Sequence, residues 1–230
     1  MKEGCLICGA PLVYFQTEKP MECAVCKKVQ NSKAACANGH FVCDACHTAG
    51  MGAIFEVCIR EDSKNPVAIL EKLMGLDFCH MHGPEHHAMV GSALLTAYKN
   101  AGGEIDLAKA LREMQARAAN IPGGACGFWG ACGAAISAGM FASIITHATP
   151  LADTAWGFSN EMTGRALTAI GKVGGPRCCK RNSYIAITQA VAFTKERLGV
   201  EMEGSDISCA RSERNDQCLK ARCPFWKNRK

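Results

Sequence analysis

Four pairs of metal-ligand side chains stand near the N-terminus: Cys5-x2-Cys8, Cys23-x2-Cys26, Cys36-x3-His40 and Cys43-x2-Cys46. This ladder constrains folding more than any other feature of the chain. A segment so short cannot bury enough apolar surface to fold unaided, so it needs a staple. Eight thiolate and imidazole ligands in four pairs suit two tetrahedral zinc ions, and four protein ligands per ion close each site against catalysis. Spacing leaves the pairing open. The two C-x2-C pairs can share one ion in sequence. Alternatively, Cys5, Cys8, Cys36 and His40 hold one ion and Cys23, Cys26, Cys43 and Cys46 the other, as a cross-brace.

Between the knuckles, Pro11 to Phe15 reads as a strand, Thr17 to Pro20 as a turn, and Met21 onward as the returning strand. That is a zinc-ribbon-like β-hairpin. The run Gly39-His40-Phe41-x-Cys43-x2-Cys46 resembles part of a RING or FYVE-type double finger. Residues 1–48 are therefore expected to form a zinc-binding module.

The thiols continue beyond it, with sixteen cysteines in 230 residues. The start, Met1-Lys-Glu-Gly-Cys5, has no apolar run of a secretory leader. A cytoplasmic chain is expected, with its thiols kept for metal or redox work rather than disulfides. Hydrophobic content is 48% but aromatic content only 7%, which predicts closely packed helices. A net charge of +5 is too weak to imply nucleic acid. The apolar stretch 130–148 is rich in Gly and Ala and carries Ser143, Thr146 and His147, so it reads as a buried helix, not a membrane span.

Residues 49–199 read as an all-α domain. Helices are expected at Met51 to Arg60, from Asn65-Pro66, and from Pro84 to Lys99. Asp106 caps the next, which runs to about Asn120 with Leu107, Leu111, Met114 and Ala118 on one face. After the apolar helix, one begins near Asp153, another is capped by Asn160, and the last spans Tyr184 to Leu198. Cys58 falls in a helix and reads as core. Residues 200–230 form a Cys-rich tail with Cys209, Cys218 and Cys223. It wants a fourth ligand from Cys178 or Cys179, which would pack it on the helical domain. Its basic excess reads as a solvated terminus.

Three segments of the helical domain carry chemistry. In the first, Gly123, Gly124, Gly127, Gly130 and Gly133 crowd Cys126 and Cys132, with Trp129 as a bulky anchor. Such a loop lets backbone approach a cofactor closely. In the second, His82-x2-Glu85-His86 with His87 matches the H-x-x-E-H string of a zinc hydrolase, but Pro84 interrupts the helix that string requires. Glu85, His86 and His87 are candidates for acid–base or metal work. In the third, Arg177-Cys178-Cys179-Lys180-Arg181 flanks two thiols with cations, which favours thiolate.

Cys132-Gly-Ala-Ala-Ile-Ser-Ala-Gly139 resembles the centre of a redox family of anaerobes named for its C-GCAxxG-C-C pattern, over about residues 86–195. The order here is Cys-Gly-Ala, and the paired Cys178-Cys179 is a second departure. The whole chain, with Pro84-Glu-His-His87 and Pro176-Arg-Cys-Cys-Lys-Arg181, is similar to a cysteine-rich domain family of unknown function from anaerobic prokaryotes, some members of which occur beside radical-SAM proteins. The resemblance implies metal and redox chemistry and a redox or sulfur-transfer partner protein.

The expected function is a metal-binding redox or sulfur-handling protein. Two zinc ions hold the head, and Cys126, Cys132, Cys178 and Cys179 line a second centre as ligands of an Fe–S cluster or as reactive thiolates. The alternative is a zinc-finger adaptor for a protein or nucleic-acid partner. The basic and aromatic residues of the head (Tyr14, Phe15, Phe41, Lys19, Lys27, Lys28 and Lys33) make the nucleic-acid case thin.

Overall fold

The computed structural model describes residues 4–47 and 50–227. The boundary expected at 48–49 and the terminal Arg229 and Lys230 lie outside the described residues. The chain is mainly α, with one two-stranded antiparallel hairpin at its N-terminal end.

Strand β1 (Leu12–Glu22) pairs with β2 (Val29–Cys36), from Leu12 opposite Cys36 to Glu22 opposite Val29. The turn expected at Thr17 to Pro20 is instead an irregularity within β1: Tyr14 faces Ala34, and Lys19, the next paired residue, already faces Ser32. Proline lacks the N–H a central strand must donate, but β1 has a neighbour on one side only, so Pro20 is tolerated. The short helix α1 (Asp44–His47) completes the described head.

Helices α2 (Gly52–Ile59), α3 (Pro66–Met74), α4 (Glu85–Asn100) and α5 (Leu107–Ala118) follow. The expected caps hold: the Asn65 side chain accepts from the N–H groups of Val67 and Ala68, and Asp106 from that of Lys109. Helix α4 is buried on nearly every side from Glu85 to Ala97. It packs on α2, α3, α5, α7 (Gly133–Ile145) and α9 (Cys179–Leu198).

A one-turn helix, α6 (Ala125–Phe128), precedes α7. Ala134, Ala135, Ala138 and Ala142 of α7 are buried, and such small side chains let α4, α8 (Thr154–Val173) and α9 approach closely. No helix among the described residues is long and apolar enough to cross a membrane. Cys58 is fully buried in the core.

Two helix starts differ from expectation. Asn160 caps nothing, because its Nδ2 donates to the Trp156 carbonyl inside a continuous 20-residue α8. Helix α9 begins at Cys179 rather than Tyr184, because Lys180 and Arg181 are buried in its first turn rather than lost to a solvated loop.

The tail returns over the helical domain. The Glu203 N–H donates to the Lys64 carbonyl, and Met202 is buried. Arg211 reaches inward to Glu71 at 2.7 Å and to the Tyr184 hydroxyl at 3.1 Å. Tyr184 also donates to Glu71 and meets Phe225 edge-on. The basic tail is thus anchored through Arg211 rather than wholly solvated.

Candidate metal and thiol centres

Hairpin register decides the pairing of the N-terminal ligands. The length of β1 holds the knuckle Cys5-Cys8 away from Cys23-Cys26, so the two cannot share an ion. Cys36 lies opposite Leu12 at the open end, beside the first knuckle. The ligand atoms of Cys5, Cys8, Cys36 and His40 lie within 4.8 Å of one another, as do those of Cys23, Cys26, Cys43 and Cys46. This is the cross-braced alternative.

Donor spacing fits a metal. Tetrahedral metal–sulfur bonds of ~2.3 Å require sulfurs ~3.8 Å apart. The Cys8–Cys36 and Cys26–Cys43 sulfurs stand 3.8 and 3.7 Å apart. His40 Nδ1 lies 3.6 Å from the Cys36 sulfur and 3.3 Å from that of Cys8. Backbone N–H groups of Ile7, His40 and Cys43 point at the sulfurs of Cys5, Cys36 and Cys23, dispersing thiolate charge. The amide of Ala10 and the His40 ring bring the Cys8 thiol down to about 6. Burial raises Cys23, but the amides of Cys26, Cys43 and Val25 outweigh it and hold that thiol at about 6.

A cleft of about 1040 Å³, counting the part open to solvent, lies between head and helical domain. His82, His87, Cys126, Cys179, Arg177 and Asp44 line it. Asp44 locks the two halves together by accepting from the Gly123 N–H at 2.9 Å. Phe128 of the Gly-rich segment meets Tyr14 edge-on and lies under the Lys33 ammonium. His87 Nδ1 donates to the Ile121 carbonyl at 3.2 Å, and its ring lies against Gly133 where any Cβ would collide with it.

The structure divides the thiols expected at one centre. Cys126 and Cys179 line the cleft, while Cys132 is buried close enough to influence both electrostatically and accepts from Asn182 at 3.3 Å. Cys178 turns away into a second cavity with Cys209, Cys218 and Cys223. It is therefore Cys178, not Cys179, that joins the tail.

The expected thiolates are not found. Burial pushes Cys179 up to about 12 and also raises Cys126 and Cys178, outweighing nearby Arg177 and Arg181. Lys180 serves neither thiol beside it; its Nζ donates to the Cys79 sulfur at 2.9 Å.

Of the glycines, Gly123 and Gly124 reach the cleft, whereas Gly127, Gly130 and Gly133 are not on its wall. Trp129 is no anchor: it is 64% exposed and away from the cleft, because the turn after α6 carries it outward.

The string His82-x2-Glu85-His86 does not assemble as one ligand set. Helix α4 starts at Glu85, leaving His82 before it, where its Nδ1 accepts from the Cys179 N–H at 3.5 Å. The close trio is Cys79, Glu85 and His86, all buried beneath the cleft. Glu85 is fully buried; despite that burial, the hydrogen bond from His47 at 3.3 Å holds it at about 2. His86 Nδ1 donates to the Gly83 carbonyl, and burial with the Lys180 charge pushes its ring down to about 3. Burial and Arg177 bring His82 to about 3 as well. These rings are neutral at pH 7.

The sequence marks Arg177 and Lys180 as cations beside the Cys178-Cys179 pair but gives no sign that Lys180 reaches Cys79, and Asp44 carries no signal, since an isolated charge reads as surface. The Cys-Cys-Lys run was the one available signal for Lys180. No curated protein and no solved structure matches the chain. Residues 54–226, from α2 through the tail cysteines, match the family of unknown function DUF5714, and the chain belongs to that family.

Proposed function

We propose that this protein is a metal-dependent redox or sulfur-handling protein, with a zinc-stapled head closing a thiol-lined cleft in the helical domain. Three thiolates with one imidazole, and four thiolates, are the donor sets of closed structural zinc sites, so the head is read as scaffold and roof. The observation that carries the reading is the cleft itself. Cys126 and Cys179, with Cys132 behind them, come from separate segments to a wall shared with two neutral imidazoles and Arg177.

Protonated thiols are poor nucleophiles, and beside neutral imidazoles, whose ring nitrogens can bind a metal, they are latent ligands. The thiols ionise when a soft metal or a cluster takes the place of the proton. The cleft is open, so a redox or sulfur-transfer partner protein can reach it, and the family resemblance points to a radical-SAM enzyme as that partner.

The test is anaerobic purification of the full chain with C126S and C179S variants, reading metal per chain and alkylation of the remaining cleft thiol. Loss of bound metal or of thiol protection in both variants, with the head's two ions retained, supports the reading. Unchanged metal and unchanged alkylation in both overturn it.

A second reading has one observation in its favour. Leu6, Ile7 and Val25, at the knuckle tips of the head, are exposed apolar residues suited to docking a partner protein. Co-purification of a partner lost in L6S/V25S, with cleft chemistry intact, would favour this adaptor role.

A further inference from the structure

We infer that Cys178, Cys209, Cys218 and Cys223 hold a four-iron, four-sulfide cluster in the cavity between the tail and the start of α9. This site is distinct from the cleft and stands whether or not the cleft thiols react.

The four cysteines line one cavity of about 370 Å³, its solvent-open part included. Cys178 and Cys223 are buried, and Cys209 and Cys218 are half-buried. The chain closes the cavity on purposefully local contacts: the Cys209 N–H donates to the Phe225 carbonyl at 2.7 Å, and Cys209 bridges to Trp226. Phe225, Trp226 and Tyr184 shield it, as a solvent-sensitive cluster requires.

Spacing separates this site from those of the head. Both head sets bring their ligand atoms within 4.8 Å, as a single ion demands. Among the described residues, the cysteines of this cavity form no such set. A cubane spreads its cysteine sulfurs wider, because four metal atoms stand between them.

Hydrogen bonds and charge point the same way. The Arg211 N–H points at the Cys209 sulfur at 3.4 Å, the Lys220 N–H at Cys218 at 3.3 Å, and the Arg181 N–H at Cys178 at 3.5 Å. Asn215, itself buried, donates its Nδ2 to Cys178 at 3.4 Å. Such donors are the usual means of setting a cluster's potential.

Arg181 is 3% exposed and lines the cavity. Its hydrogen bonds run to the carbonyls of Gly174 and Pro176 and to the Asn182 side chain, none of which carries charge. Among the described residues no carboxylate pairs with it, and a buried cation without a counter-charge is costly. Four thiolates around a cluster core leave a net negative centre that offsets it. Cys178 also sits at the N-cap of the 20-residue α9, where the helix dipole favours negative charge. The oxidised core holds equal numbers of ferrous and ferric ions with its four sulfides, so assembly from both forms of iron needs no net electron transfer, and the four thiols release four protons to water as four iron–thiolate bonds form. One electron from an external reductant then reduces the cluster without breaking a bond.

The experiment is anaerobic reconstitution of the full chain with equal amounts of ferrous and ferric iron and with sulfide. Iron, acid-labile sulfide and zinc are counted, and the dithionite-reduced protein is examined by electron paramagnetic resonance. Wild type should gain about four irons and four sulfides per chain at this site. C209S and C223S should lose that signal while keeping the two head ions and helical circular dichroism. C126S should keep it, which separates this site from the cleft. N215A, which removes the donor to Cys178 together with the Oδ1 that accepts from the Gln217 N–H, should retain iron and shift the reduction potential downward.

Zinc in place of iron at these cysteines would overturn the inference. So would iron unchanged in C223S, iron lost in C126S instead, or a potential unmoved in N215A.

Discussion

Replacing Gly133 with alanine tests the packing that sets His87 on the cleft wall. Gly133 is the first residue of α7, and an added Cβ would stand closer than 3.0 Å to the Cδ2, Nε2 and Cγ atoms of His87. Alanine in place of glycine gains at most about 1 kcal/mol of helix propensity. Against this, forcing a methyl into filled space costs about 1–3 kcal/mol. His87 is buried, so moving its ring also breaks the bond to the Ile121 carbonyl and strands a buried acceptor, about 1–3 kcal/mol more. The clash therefore wins, and G133A should destabilise the protein by about 2–4 kcal/mol in urea titrations. The reasoning is specific to the ring. In an H87A background the methyl has room, and G133A should become neutral or slightly stabilising. A double-mutant cycle should then give a coupling of at least about 2 kcal/mol. A G133A chain as stable as wild type, or a strictly additive cycle, would show that the ring does not rest on Gly133.

The cross-brace predicts which double variants are redundant: C5S/C36S should lose one head ion, as either single variant does, whereas C5S/C23S should lose both. Zinc counting that finds one ion lost in C5S/C23S would restore sequential pairing. For pH, burial and the Lys180 charge hold the folded His86 ring down at about 3, against 6.5 in the unfolded chain. Between those values only the unfolded chain takes the proton, so stability present above pH 6.5 is lost as pH falls toward 3, at about 1.4 kcal/mol per pH unit. H86N keeps a donor at the Nδ1 position and does not titrate, so its stability difference from wild type should change by that slope; a difference flat with pH refutes the burial of a neutral ring. Finally, Y184F removes a hydroxyl that donates to Glu71 and accepts from Arg211, and should cost about 1–3 kcal/mol while speeding proteolysis of the tail. Unchanged cleavage there would mean that this network does not anchor it.

The two candidate metal-ligand sets of the head were legible in sequence because ligand pairing within a knuckle is local. Two residues between cysteines bring their sulfurs together whatever the rest of the chain does. Which knuckles share an ion is a long-range property, set when Leu12 aligns with Cys36, and spacing alone leaves it open. Helices were legible where periodicity and caps agreed, as at Asn65 and Asp106. They were misplaced where a residue's usual preference lost to burial. Asn160 favours caps but turns its amide back to Trp156, and α8 continues because Met162 and Ala166 bury its inner face. Lys180 and Arg181 read as cations beside a thiol pair, ahead of a helix expected from Tyr184. They are helical because a buried thiol and two loop carbonyls receive their charged donors.

The divergence of Cys178 and Cys179 follows from the same local geometry. Cys178 has extended backbone, with φ −147° and ψ 104°, and Cys179 begins α9. A change from extended to helical backbone between neighbours rotates the second side chain away from the first. Hence adjacent sulfurs serve opposite cavities, and the cations around them divide likewise. Arg177 lines the cleft, Arg181 lines the tail cavity, and Lys180 points below both to Cys79. A sequence that reads as one activated thiol pair is, in three dimensions, the partition between two centres. The helix start at Cys179 makes that partition, so moving it by one residue would redirect both sulfurs.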